Sequence, residues 1–191
     1  SAHGRLADHG LMALDFDGTD DRVDHGDIAA IDGASVLTTT FWINVDALEG
    51  NGGIIGKGTD PTGYYIYEGP SSSLLRFATQ RSTTFGTSGS ALAAGAWHHW
   101  AVVYDGGGAA NADRVKMYLD GVAETLTFAG TIPATLPDAG AAVLYTGFTT
   151  AEAGVYYNCK LALVKMWTAA LTADEVAQEV NSYRPVRTAG L

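Results

Sequence analysis

Between Trp97 and Tyr104 both alternating sets of side chains are largely apolar: Trp97, His99, Ala101 and Val103 against His98, Trp100, Val102 and Tyr104. Aromatic and β-branched residues at this density predict a strand. A strand apolar on both faces belongs in the middle of a sheet that is covered on both sides. After the Asp-Gly-Gly-Gly turn at 105–108, Val115, Met117 and Leu119 alternate with Lys116, Tyr118 and Asp120, and Asp120-Gly121 closes the run. Residues 96–123 therefore read as a long hairpin at the centre of the fold.

The same period of two, punctuated by Gly, Pro, Asn and Asp, marks further strands along the chain. Residues 11–16 place Met12, Leu14 and Phe16 inward, and a turn after Asp17 leads to a short strand. Residues 36–45, 54–58, 64–68, 74–79, 124–128, 142–148 and 160–167 follow as strands. Residues 80–90 are rich in Gly, Ser and Thr and read as a loop or an exposed edge strand. Connectors occupy 27–34 and 129–142. One helix is predicted: Thr172 and Glu175 form a capping box, Val176 and Val180 bury, and Arg184-Pro185 ends it. The pattern predicts a single all-β domain over residues 1–191, with residues 1–10 as an N-terminal arm and 182–191 as a C-terminal tail.

Charge and cysteine content narrow the function classes. The 191 residues carry a net charge of −10, which repels nucleic-acid phosphates and anionic membrane surfaces. No apolar run approaches the ~20 residues of a membrane span. Cys159 is the only cysteine, so no intramolecular disulfide forms, and a buried thiol is expected. No secretory leader is visible, and Ser1-Ala2-His3-Gly4 reads as a processed or engineered start.

Eight of the 21 acidic residues fall between positions 8 and 32, which raises the question of a metal. Asp17, Asp20 and Asp21 lie in one turn; they either hold a cation or accept hydrogen bonds from the turn's own amides. Asp105, Asn111 and Asp113, beside Gly106, Gly107 and Gly108, form a second candidate, whose alternative is a solvated hairpin tip. His98 and His99 are neighbours on a strand, point to opposite faces and do not share an ion. For sugar recognition, which needs aromatic planes beside hydrogen-bonding groups, the candidates are Tyr156, Tyr157 and Asn158 at a loop-to-strand junction, with Tyr65, Tyr67 and Arg76. Tyr64 and Phe85 are further aromatic candidates, and Arg81 would join Arg76 for an acidic glycan. The glutamates at 49, 68, 124, 152, 175 and 179 are scattered, and no strand sets two carboxylates about 5 Å apart as retaining glucanases require. No enzyme is expected.

Several stretches taken together resemble one family. They are Leu14-Asp15-Phe16-Asp17-Gly18-Thr19-Asp20-Asp21, Phe41-Trp42-Ile43, Ile55-Gly56-Lys57-Gly58, Trp97 to Gly106, Lys116 to Val122, and Leu161 to Val176. Their order and spacing resemble the laminin-G-like, concanavalin A-like lectin/glucanase domains over residues 11–181. The resemblance implies a two-sheet antiparallel jelly-roll sandwich with one short C-terminal helix, binding on the concave face or its rim. It also implies calcium at Asp17, Asp20 and Asp21, although Ala162 stands where relatives carry a late-strand acid. The expected function is a non-enzymatic binding or adhesion module for carbohydrate or another surface ligand, extracellular, cell-surface or virion-associated. The alternatives are a structural or decoration protein of a virion or microbial surface, working as a homo-oligomer or in association with a capsid or cell surface, and a polysaccharide lyase or hydrolase.

Overall fold

Alternating side chains sort the strands into two facing layers. The computed structural model describes residues 3–5, 12–70, 72–150 and 155–182; the rest of the expected arm, residues 183–191 of the tail and Arg184-Pro185 lie outside them. Among the described residues the first sheet runs β1 (His3–Arg5), β2 (Met12–Asp17), β16 (Asn158–Trp167), β4 (Val36–Val45), β9 (Trp97–Asp105), β10 (Val115–Leu119) and β11 (Val122–Ala123). The second runs β12 (Thr127–Ala129), β8 (Thr84–Ala91), β7 (Leu74–Gln80), β6 (Tyr64–Glu68), β5 (Gly53–Lys57), β13 (Leu144–Thr146) and β3 (Val23–Asp24). A ribbon of β14 (Phe148–Thr149) and β15 (Val155–Tyr156) accompanies them, and every strand pairing is antiparallel. This is the jelly-roll sandwich that the resemblance implied.

Phe41, Ile43, Trp100, Val102 and Tyr104 from the first sheet meet Tyr64, Ile66, Leu75 and Phe77 from the second in one continuous core. Their alternate neighbours turn outward. On the first sheet those neighbours are apolar too, because helix α2 (Ala173–Ser182) lies over them; a one-turn helix, α1 (Asn111–Arg114), precedes it in the chain. Val176 packs with Ala101, Val103 and Tyr118, and Val180 with Ala13, Trp42 and Ala162. Burying each valine is worth about 1.5–3 kcal/mol. The predicted capping box forms, with the Thr172 N–H donating to Glu175 Oε2 at 2.7 Å and the Glu175 N–H to Thr172 Oγ1 at 3.3 Å.

Several expectations are corrected. The middle strand of the first sheet is β4, and β9 lies one place further out, next to the β10–β11 edge. Residues 84–91 form β8, hydrogen-bonded on both sides, so the polar stretch is a loop only at 81–83 and an inner strand beyond it. Residues 124–128 do not form one strand; the chain passes there from β11 in one sheet to β12 in the other. Met12 and Leu14 share the phase of Phe16 but remain 56% and 38% exposed. They run along the edge side of the first sheet, paired on one side with β1.

The acidic N-terminal third is neutralised piecewise. Lys57, fully buried, pairs with Asp32 and with Asp27 at 2.9 Å, tying the 27–34 connector to β5. Burial alone would lower its pKa, but the two carboxylates outweigh burial and raise it. Lys160 pairs with Asp46 and lies 3.8 Å from Asp15.

Candidate ligand-binding face

Strand register places two rows of side chains across the outer face of the second sheet. One row is Tyr145, Gly56, Tyr65, Ala78 and Phe85; the next is Gly53, Tyr67, Arg76 and Thr87. Because Tyr64, Ile66, Leu75 and Phe77 point into the core, the residues between them must point away from it. Thr149 lies over the glycines of both rows, and a methyl on Gly56 would come within 2.8 Å of its Cγ2.

Two arginines cover the rings of these rows. The Arg76 guanidinium carbon lies 4.3 Å from the Phe85 ring centroid, and that of Arg81 lies 4.2 Å from the Tyr67 centroid. Arg81 is buried and fixed in place. It donates to the Asn51 carbonyl at 2.8 Å and to Thr149 Oγ1 at 3.0 Å, while its backbone N–H donates to Asp60 Oδ1 at 3.0 Å. The Tyr67 hydroxyl donates to the Arg81 carbonyl at 3.0 Å. Around the two guanidinium groups opens a hollow of about 360 Å³, lined by Asn51, Pro70, Arg76, Arg81, Ser82 and Phe85. Its lining holds no carboxylate among the described residues; Glu152 lies outside them. A hollow of about 460 Å³ at the Thr131–Leu136 crossover is lined mainly by threonines and prolines, with Asp138 as its one charged lining residue among those described.

Of the residues chosen from the sequence for sugar binding, Tyr65, Tyr67 and Arg76 are thus brought together. The expected open aromatic planes are corrected, since Tyr65 and Tyr67 are both 0% exposed. Burial, followed by the Asp60 charge, pushes the Tyr65 phenol above its usual pKa, and Arg81 pulls it back in part. Tyr156, Tyr157 and Asn158 do not form one site. Tyr157 is buried in the core beneath Gly52, and burial together with the Glu68 carboxylate drives its pKa far up. Tyr156 is half-buried; it packs 4.7 Å from the Phe148 ring and accepts a 2.7 Å hydrogen bond from Arg22. Asn158 stands opposite Asp17 across the β2–β16 ladder. Arg81 and Phe85 entered the sequence reading only as secondary candidates, and Asn51 and Thr149 were missed. Asn51 comes from a Gly-rich turn and Thr149 from a two-residue strand, and neither carries an alternation to read.

The acidic turn does not present a calcium cage. Asp17 Oδ1 accepts the Thr19 N–H at 2.7 Å and the Asp20 N–H at 3.4 Å, and Asp21 Oδ2 accepts the Asp17 N–H at 3.4 Å. These amides, the Thr19 N–H first, hold the Asp17 carboxyl below its usual pKa. The late-strand residue facing the turn is Asn158, whereas Ala162 packs beneath α2 with Trp42 and Val180. Among the described residues no three His, Cys, Asp or Glu are grouped to hold a metal ion. That donor set does not fit the six to eight oxygens calcium requires. The second acidic candidate is also bound up in its own loop. Asp105 Oδ1 accepts the Gly107 N–H at 3.0 Å and Asp113 Oδ2 the Ala110 N–H at 3.0 Å. Asn111 clamps the crossover, donating to the Gly130 carbonyl and accepting the Ile132 N–H, each at 2.9 Å.

His98 and His99 lie away from the hollow. His99 is buried under α2, edge-on to Trp42 at 5.4 Å between ring centroids, and His98 Nδ1 lies 2.8 Å from Asp120 Oδ2. Glu68, Glu124, Glu175 and Glu179 each engage a backbone amide or a lysine.

With the two sheets and the arginine-lined face in view, comparison with known families is decisive for the fold. The family model described as the concanavalin A-like lectin/glucanases superfamily matches residues 17–177. The chain belongs to this superfamily. No curated protein matches it. Among solved structures, several share the fold over most of this chain. The heptameric SAP-like pentraxin of Limulus polyphemus is 16% identical with a TM-score of 0.59, covering 88% of this chain and 81% of its own. Domain 4 of AbnA, a GH43 extracellular arabinanase from Geobacillus stearothermophilus solved with arabinotriose, is 17% identical with a TM-score of 0.65, covering 93% and 79%. The Trypanosoma rangeli sialidase is 15% identical with a TM-score of 0.62; the match spans 94% of this chain but 28% of the sialidase. At these identities the likeness is one of fold.

Proposed function

We propose that this chain is a non-enzymatic carbohydrate-binding module whose ligand sits in the arginine-lined hollow on the outer face of the second sheet. One observation carries the reading: flat guanidinium groups, backed by the rings of Tyr67 and Phe85, line a ligand-sized hollow whose described lining lacks any carboxylate. Planar groups suit the C–H faces of a sugar ring, and the Ser82 hydroxyl and Asn51 supply polar partners beside them. The other sheet has its outer face occupied by α2, which leaves this one for binding. A bond-cleaving role would need paired acids or an imidazole beside a phenol, and neither pair lines the hollow among the described residues. The superfamily includes lectins, and among the neighbours the arabinanase domain was solved with a sugar bound. An extracellular or surface setting follows from the same reading, as does assembly into an oligomer, which the pentraxin neighbour displays.

A glycan array followed by calorimetric titration tests the proposal, with a reducing-sugar assay on the same samples. Saturable binding without product release is the expected result. Absence of binding to every saccharide, or release of reducing ends, would overturn it.

A further inference from the structure

We infer that the saccharide taken by this hollow is anionic, and that Arg76 receives its oxyanion. The inference rests on the carbohydrate-binding reading above and assigns the ligand class within it.

Among the described residues several cations of this acidic chain have settled partners. Lys57, Lys160 and Lys165 each meet a carboxylate, and Arg114 is spent on the carbonyls of Gly108 and Ile132. Arg76 differs. No described carboxylate approaches it, its guanidinium rests against Phe85, and its Nε is buried with no described hydrogen-bond acceptor. A buried donor left unsatisfied is costly, and more so when it is charged. In a chain with net charge −10 an acid partner would be easy to supply, yet none of the described residues supplies one to Arg76. The packing on Phe85 restricts the guanidinium, which lowers the entropy cost of engaging a ligand.

The neighbouring residues favour the same ligand. Arg76 is the register partner of Tyr67, whose ring carries the second guanidinium, so Arg81 lines the same hollow beside it. Arg81 is anchored by the Asn51 carbonyl and Thr149, which holds the charge in place before any ligand arrives. Guanidinium groups bind carboxylates and other oxyanions through paired N–H donors, in short charge-assisted hydrogen bonds. The overall negative charge does not forbid this, because fields beyond about 8 Å are screened at physiological ionic strength. A uronate or sialate carboxylate and a sulfate ester share this chemistry.

The full chain is titrated calorimetrically with sialyllactose against lactose, trigalacturonate against its methyl ester, and a 6-sulfated galactose oligomer against the unsulfated form. At least one anionic member should bind tenfold or more tightly than its neutral counterpart. Which pair shows the difference identifies carboxylate or sulfate. Arg76→Gln should erase that preference while the thermal midpoint stays near that of the parent, and Arg76→Lys should keep part of it. On the unaltered protein, the Arg76 Nε–H resonance should shift during titration with the preferred anion, a readout that needs no variant. Equal affinity within each pair, a preference that survives Arg76→Gln, or an unmoved Arg76 resonance at saturation would overturn the inference and leave the carbohydrate-binding reading standing. Failure of all six probes and of every neutral glycan would overturn both.

Discussion

The Arg81 guanidinium lies 4.2 Å above the Tyr67 ring, and the Tyr67 hydroxyl donates back to the Arg81 carbonyl at 3.0 Å. Each residue thus positions the other, and both are buried. Tyr67→Phe removes the donor and should cost about 1–2 kcal/mol. Arg81→Lys keeps the charge but loses the planar fork that reaches both Asn51 and Thr149. Chemical denaturation checks the first change. For the second, saccharide affinity should fall more than stability does.

Lys57 joins β5 to the 27–34 connector through Asp27 and Asp32. Lys57→Ala leaves Asp32 with its buried partner gone, and breaking such a pair from one side costs roughly 3–5 kcal/mol. Denaturant unfolding of the variant should show a loss of that order. Lys57→Met, which preserves more of the packing volume, should lose less.

His99 gives the stability a pH dependence. Burial depresses its pKa to about 4 from the ordinary 6.5, against opposing pulls from Glu179 and then Asp120, with Lys165 the smallest influence. Between those values the unfolded chain binds the proton and the folded chain does not, so stability is complete above pH 6.5 and falls as the pH drops toward 4. The span corresponds to roughly 3 kcal/mol at most. Denaturation at a series of pH values should trace the slope, and His99→Gln should flatten it.

Cys159 is buried, and burial pushes its thiol well above the usual range. Maleimide should leave the native protein unmodified over hours and label it fully in denaturant. Fast labelling under native conditions would contradict the packing around β16.

Calcium should not stabilise the fold. A cation bound at 100 times its dissociation constant would add about 2.7 kcal/mol. Thermal melts with millimolar calcium and with EDTA should coincide, because Asp17 and Asp21 already serve amides of their own turn.

Strand alternation made the strands readable in advance, and the family resemblance supplied their arrangement in two sheets. Leu75 and Phe77 set the phase of β7, which places Arg76 on the outer face, and Thr172 with Glu175 announced the start of α2. The composition of 80–90 concealed β8, because Gly86, Thr87 and Ser88 are buried without being apolar. Tyr157 was misread because its burial depends on Gly52, about a hundred positions away, leaving room for the ring. Likewise, the acidic clustering suggested a shared cation, whereas the acids are dispersed onto lysines and turn amides that only the folded chain brings near. The hollow itself was partly legible as residue types. Its assembly depends on the β6–β7–β8 register, and no local pattern encodes that.

The docking of α2 onto the first sheet has a practical corollary. A chain cut ahead of Thr172 would lay bare Trp42, Ala101, Val103, Tyr118 and Ala162 together, an adhesive plane on a molecule otherwise kept apart from its neighbours by negative charge. Such a fragment would clump through that plane even if both sheets still closed around their core.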